Sequence, residues 1–160
     1  MSSKEIERKF LIKELPADLD KHRCHEIEQA YLCREPVIRI RRSDEDYYMT
    51  YKGKGLLERE EYNLPLNEKA YEQLLKKTEG SVIKKRRYVI PIDDPKEYIK
   101  GISVPEELTL CIELDIFSQP EEMILAEVEF PSLEIANHFI MPSWFKEDVT
   151  GQLKYYNSHM

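Results

Sequence analysis

Eight short segments of this chain alternate with period two, and the charges on their polar side are sorted by segment. The segments are residues 4–12, 26–34, 36–42, 46–53, 57–65, 82–91, 108–117 and 124–130. Side chains at i and i+2 of a strand share a face, so parity assigns the faces. In the first segment Glu5, Glu7 and Lys9 oppose Ile6, Arg8 and Phe10. Arg39 and Arg41 then oppose Ile38 and Ile40, and Thr50 sits with Lys52. Arg59, Glu61 and Asn63 oppose Tyr62 and Leu64, and Lys85 and Arg87 oppose Tyr88 and Ile90. Glu113 and Asp115 oppose Leu114 and Ile116, and Glu127 and Glu129 oppose Val128 and Phe130. Acid gathers on segments one, seven and eight, base on three, four and six. A merely solvated face, the ordinary reading of any one such strand, would mix the signs.

Only two stretches read as helix. Asn67 can cap a helix over 68–78 that Gly80 would end, and Ser132 can cap one over 133–140 that Pro142 would stop. A short helical turn is expected near 143–146, and 150–160 reads as irregular. The expectation is an α+β, mainly β domain spanning 1–160: a closed eight-stranded antiparallel β-barrel with a few flanking helices. Its apolar face would lie outward beneath the helices, and its charged face would line a wet tunnel.

The 160 residues suit one core, and the net charge of -7 argues against a general nucleic-acid binder. No apolar run approaches a membrane span. The first residues, MSSKEIERKF, lack a signal-peptide core. Three cysteines without metal spacing read as reduced thiols. Together these point to a cytoplasmic protein without nucleic-acid or membrane partners, with a homodimer through an outer face as a plausible assembly.

Clustered carboxylates without a histidine ligand prefer hard cations, Mg²⁺ or Mn²⁺. Glu5 and Glu7 form one strand-spaced pair, Glu127 and Glu129 another. If the first and last strands are neighbours, all four converge as a metal site. Lys9, Arg39, Arg41, Lys52, Arg59, Lys85 and Arg87 exceed what a monophosphate needs, and suit a triphosphate bridged by metal. No P-loop is present, because Gly53-Lys54-Gly55 lacks the spacing. His22, His25, His138 and His159 fall off the charged faces, and the cysteines read as packing residues.

In this order the segments carry a family resemblance. EIERKF at 5–10 resembles the Glu-x-Glu-x-Lys signature of the CYTH superfamily, the triphosphate tunnel metalloenzymes. VIRIRR at 37–42, YYMTYKGKG at 47–55, EREEY at 58–62, KKRRYVI at 84–90, IELDIF at 112–117, LAEVEF at 125–130 and DVTGQLKYYN at 148–157 are similar to its later motifs, in family order. HEIEQAYL at 25–32 resembles the corresponding strand of the small triphosphatases more than that of the cyclases.

The resemblance implies metal-dependent hydrolysis of a small-molecule triphosphate, inorganic tripolyphosphate first. Thiamine triphosphate, nucleotides and cyclisation of ATP are the alternatives, with a non-catalytic polyphosphate-binding module as the competing class. It implies metal binding by Glu5, Glu7, Glu127 and Glu129, and acidic tunnel positions at Glu61, Glu113 and Asp115. It adds Lys154 to the phosphate-binding set as a basic C-terminal position, where lysine replaces the arginine common in the family and loses its bidentate contact. Lys9 and Lys85 are the candidate catalytic residues. A lysine base needs a depressed pKa, and its sign depends on which neighbours face it.

Overall fold

The computed structural model describes residues 3–160. Nine strands form one antiparallel sheet. They are β1 (Ser3–Ile12), β2 (Arg23–Arg34), β3 (Val37–Ser43), β4 (Asp46–Lys52), β5 (Glu58–Leu66), β6 (Glu79–Pro91), β7 (Cys111–Gln119), β8 (Met123–Glu129) and β9 (Phe145–Asp148), in the order β5-β4-β3-β2-β6-β7-β8-β1-β9. A further pairing of β5 with β1 closes the first eight into a barrel. The barrel and its antiparallel topology are as the alternation implies. β9 is an addition.

One edge of β1 serves two partners. Its first half pairs with β5, Glu5 opposite Arg59, and its last residues pair with β9, Phe10 opposite Asp148. Where a helical turn was expected near 143–146, Phe145–Asp148 is therefore extended. β5 has by then left that edge of β1, and the freed backbone groups need partners.

The helices are shorter than their apolar patterns. In α1 (Glu68–Leu75) the Asn67 side chain accepts from Ala70 N at 2.7 Å, as a cap should. The helix ends before Gly80. Lys77 and Thr78 close the last turn on the carbonyls of Leu74 and Leu75, and Gly80 already belongs to β6. Gly80 has φ +75, and a Cβ there would collide with the Arg34 guanidinium. In α2 (Leu133–Asn137) Ser132 caps Ile135 N at 3.2 Å. This helix stops three residues short of 140, because Phe139 leaves it to bridge with Ile99.

The larger apolar core is on the barrel's outer face. Phe10, Leu114, Ala126 and Val128 meet Ala136, Phe139 and Phe145 there, most of them without solvent exposure. Arg8, the odd member of its apolar parity, belongs to this layer. It donates to the carbonyls of Ala136 and Phe139 at 2.8 Å each, lies over the Phe10 and Phe139 rings, and pairs with Asp148. It thus satisfies carbonyls at the end of α2 and ties β9 to β1. Among the described residues no helix is long and apolar enough to cross a membrane. The three cysteines are free thiols.

Candidate active site

The barrel encloses a cavity of about 420 Å³ lined by both charge sets. β1 and β8 are neighbours, with Glu7 opposite Glu129 and Lys9 opposite Glu127. All four glutamates expected to hold metal therefore share one wall, but their surroundings divide them.

Glu5 accepts from Lys52 at 2.9 Å and lies 3.4 Å from Arg59. Against its burial, these cations hold it at about 2. Glu127 lies 3.3 Å from Lys9 and 3.7 Å from Arg87, and the two lower it well below the usual carboxylate range despite burial. By contrast, the Glu7 and Glu129 side chains make no hydrogen bond or salt bridge among the described residues. Burial, then the charges of Glu127 and Glu5, push Glu7 up to about 8. Burial, then Glu5, Glu113 and Glu61, push Glu129 up to about 7. Both carboxyls gain from a proton or a cation. Among the described residues no three acidic, histidine or cysteine side chains stand in a metal-ready cluster.

Across the cavity β3 presents Arg39 and Arg41, 6% and 7% exposed, with no carboxylate partner among the described residues. Arg39 Nη2 donates to Thr50 Oγ1 at 3.2 Å, while its Nε is buried with no partner. Burial and the adjacent Arg41 charge lower its pKa. Arg41 Nε donates to Gln29 Oε1 at 2.8 Å, and Nη1 to Tyr48 Oη at 3.3 Å. Neutral acceptors aim these guanidiniums without cancelling their charge. Gln29, Thr50, Tyr48 and Asn63 are thus structural partners of the cation wall. Thr50 and Asn63 were visible on the charged parity, but nothing in the pattern showed which arginine each would orient.

On β6 and β7, Asp115 is fully buried and receives two bonds from Arg87, at 2.7 and 2.8 Å, and one from Lys85 at 2.8 Å. Arg87 also reaches Glu113 at 3.0 Å. These cations keep Asp115 charged, below its usual value, despite burial. The Lys85 ammonium is lowered to about 7 by burial and by Arg87 and Arg41, outweighing Asp115, which spends two of its bonds on Arg87. It lies within 5.0 Å of the Phe117 ring and does not line the cavity directly.

Lys9, Lys52, Arg59 and Arg87 do line it. Lys154 does not: it is exposed, its ammonium over the ring of its neighbour Tyr155. The C-terminal residues that do reach the cavity are Tyr156, Asn157 and Ser158, which the irregular reading of 150–160 could not reveal. The histidines stay outside, His25 for example binding Asp44 at 2.6 Å in the β3–β4 turn.

Comparison with known proteins agrees with this arrangement. Residues 3–138 match the CYTH domain family. The chain is 34% identical over 157 residues to an inorganic triphosphatase of Nitrosomonas europaea, covering 96% of this chain and 93% of that protein. It is 30% identical over 162 residues to an inorganic triphosphatase of Acetivibrio thermocellus, covering 98% and 92%. A solved structure of an inorganic triphosphatase superposes with a TM-score of 0.62 at 31% identity, over 97% of this chain and 92% of that one. A conserved protein from Pyrococcus furiosus, 22% identical with a TM-score of 0.55 over 84% and 83% of the two chains, shares the fold.

Proposed function

The chain belongs to the CYTH domain family, and on that premise we propose that it is a metal-dependent triphosphatase that releases phosphate from inorganic tripolyphosphate. One observation carries the reading. Among the described residues two buried guanidiniums without carboxylate partners, Arg39 and Arg41, face a cavity shared with two carboxylates without cationic partners, Glu7 and Glu129. A polyanion accompanied by a hard cation satisfies both sets. The inorganic triphosphatases to which the chain is similar support the choice of substrate.

Glu7 and Glu129, with Glu5 and Glu127 beside them, would hold Mg²⁺ or Mn²⁺, whose preference is for carboxylate oxygen. When bound, such a cation neutralises charge on the phosphoryl oxygens and the leaving diphosphate. Arg39 and Arg41 grip phosphoryl oxygens by forked donation. Lys9, Lys52 and Arg59 add positive charge along the cavity. Arg87, fixed by Asp115 and Glu113, presents a guanidinium that needs no reorganisation as charge develops.

In the reaction a water oxygen bonds to the terminal phosphorus, the bridging P–O bond breaks, and diphosphate leaves with that bond's electron pair. The water's proton passes to a base. Lys85, although its ammonium is lowered to about 7, does not line the cavity and is bonded to Asp115, so it supports the Arg87–Asp115 pair rather than meeting that water.

The test is phosphate release from tripolyphosphate, ATP and thiamine triphosphate with Mg²⁺ or Mn²⁺, with and without chelator. Fastest release from tripolyphosphate, abolished by chelator, is the expected result. Tight binding of tripolyphosphate without release of phosphate under any metal would replace the enzyme with a capture module.

A further inference from the structure

Strand β2 places a neutral amide, Gln29, against the cation wall. Gln29 lies opposite Arg41 on β3 and opposite Ile83 on β6, and it has no solvent exposure. Its Oε1 accepts from Arg41 Nε at 2.8 Å, and its Nε2 donates to Tyr31 Oη at 3.3 Å. The second bond fixes which end of the amide meets the guanidinium. Tyr31 and Ile83 belong to a second apolar cluster, with Val37, Phe117 and Leu125, separate from the outer core. Gln29 does not line the cavity, so it acts on a ligand through Arg41.

Electrostatics favours a carboxylate at this position. Arg41 stands close to two other cations: burial and then the Arg41 charge depress Arg39, and burial, Arg87 and Arg41 together depress Lys85. A glutamate has the shape of glutamine, and here it would face this group in a dry setting where Coulomb attraction is strong. On β6 and β7 the chain places such a carboxylate: Asp115 bonds to Lys85 and Arg87 and offsets their charge. At Arg41 the amide keeps the geometry of such a pair and omits its charge.

We propose that Gln29 is a positioning residue that makes the cavity selective for the more highly charged anion, aiming Arg41 while leaving its charge to favour tripolyphosphate over inorganic phosphate. Coulomb attraction scales with ligand charge, so a positive charge cancelled at Arg41 weakens tripolyphosphate more than inorganic phosphate. Such selectivity lets released phosphate leave while substrate is still captured. The inference rests on the triphosphatase reading and adds the origin of its preference for substrate over product.

The experiment compares the parent, Gln29→Glu and Gln29→Met. Calorimetry with chelator present gives their affinities for tripolyphosphate and for inorganic phosphate, and turnover of tripolyphosphate with Mg²⁺ gives kcat and KM. Glutamate keeps the shape and the acceptor and adds charge; methionine keeps the volume and loses the acceptor. Gln29→Glu is expected to weaken tripolyphosphate by about tenfold and inorganic phosphate by no more than about threefold. Its KM should rise with kcat nearly unchanged, and its melting temperature should not fall. Gln29→Met is expected to weaken both anions by about threefold, at an unchanged ratio.

A purely structural role predicts the reverse order for tripolyphosphate, because only methionine breaks the bond to Arg41. That reverse order, or a folded Gln29→Glu with the parent's affinities, would overturn the proposal. Should Gln29→Glu fail to fold, Gln29→Met decides: a tripolyphosphate-to-phosphate ratio lost with the bond would assign the selectivity to geometry and not to charge. A parent that binds tripolyphosphate without releasing phosphate would count against the triphosphatase reading and leave the binding comparison intact.

Discussion

The β1–β8 wall and the β3–β4 wall of the tunnel are both charged, yet they manage their charge in opposite ways. On β3 the cations are aimed by neutral groups, Arg41 by Gln29 and Tyr48, Arg39 by Thr50, so their charge is left for a ligand. On β1 and β8 the carboxylates divide: Glu5 and Glu127 are offset by Lys52, Arg59 and Lys9, while Glu7 and Glu129 repel their neighbours. A site built only to bind anions would need the first wall alone. The second wall is intelligible as a place for a cation that arrives with the substrate.

Glu7→Gln is the sharpest way to break this contrast. Turnover of tripolyphosphate should fall by about a thousandfold, and calorimetry should show weakened Mg²⁺ or Mn²⁺ binding to a folded protein. Unchanged turnover at limiting metal would remove Glu7 from the cation wall. Arg41→Ala should lower kcat/KM by about a hundredfold, roughly 3 kcal/mol, and leave metal affinity in the absence of substrate unaltered. A comparable loss of metal affinity would mean that the walls do not act separately.

Asp115→Asn tests the support behind both walls. Removing one charge of the buried Lys85–Asp115–Arg87 group should cost about 3 kcal/mol of stability, read as a lower denaturant midpoint. Stability within error of the parent would show that the two cations find other partners.

A smaller effect follows from pH. Glu7 and Glu129 titrate higher in the folded protein than when unfolded, so between the ordinary glutamate range and about 8 the folded state holds more protons. Stability of the metal-free protein should then fall as pH rises through that window. Saturating metal should flatten the slope. A metal-free melting temperature that rises from pH 5 to 8 would contradict the repulsion. Smallest of all, Lys154→Ala should change kcat/KM by no more than about twofold, because that ammonium lies outside the cavity. A large loss would return it to the phosphate-binding set.

The alternation of Glu5, Glu7 and Lys9 with Ile6, Arg8 and Phe10 placed the first strand correctly on both faces, and the same parity brought out the walls on β3, β6, β7 and β8. It was legible because which side of a strand a residue occupies follows from covalent geometry. Arg8, a charge on the apolar face, is accounted for only by its partners on α2 and β9. β9 itself carries no usable signal in four residues, FKED. It is a strand because β1 has an unpaired edge at that point.

The amino-acid order by itself determined the barrel, the inward face and most of the residues whose charge lines it, Lys85 and Lys154 excepted, since period-two patterning is local and survives whatever the strands pair with. Tertiary structure alone decided which glutamates are offset and which repel, the depressed lysine beside Asp115, and the packing of Tyr155 and Met160 on the second apolar cluster. Those properties depend on distances across strands far apart in the chain and on water excluded from between them, and no local pattern encodes either.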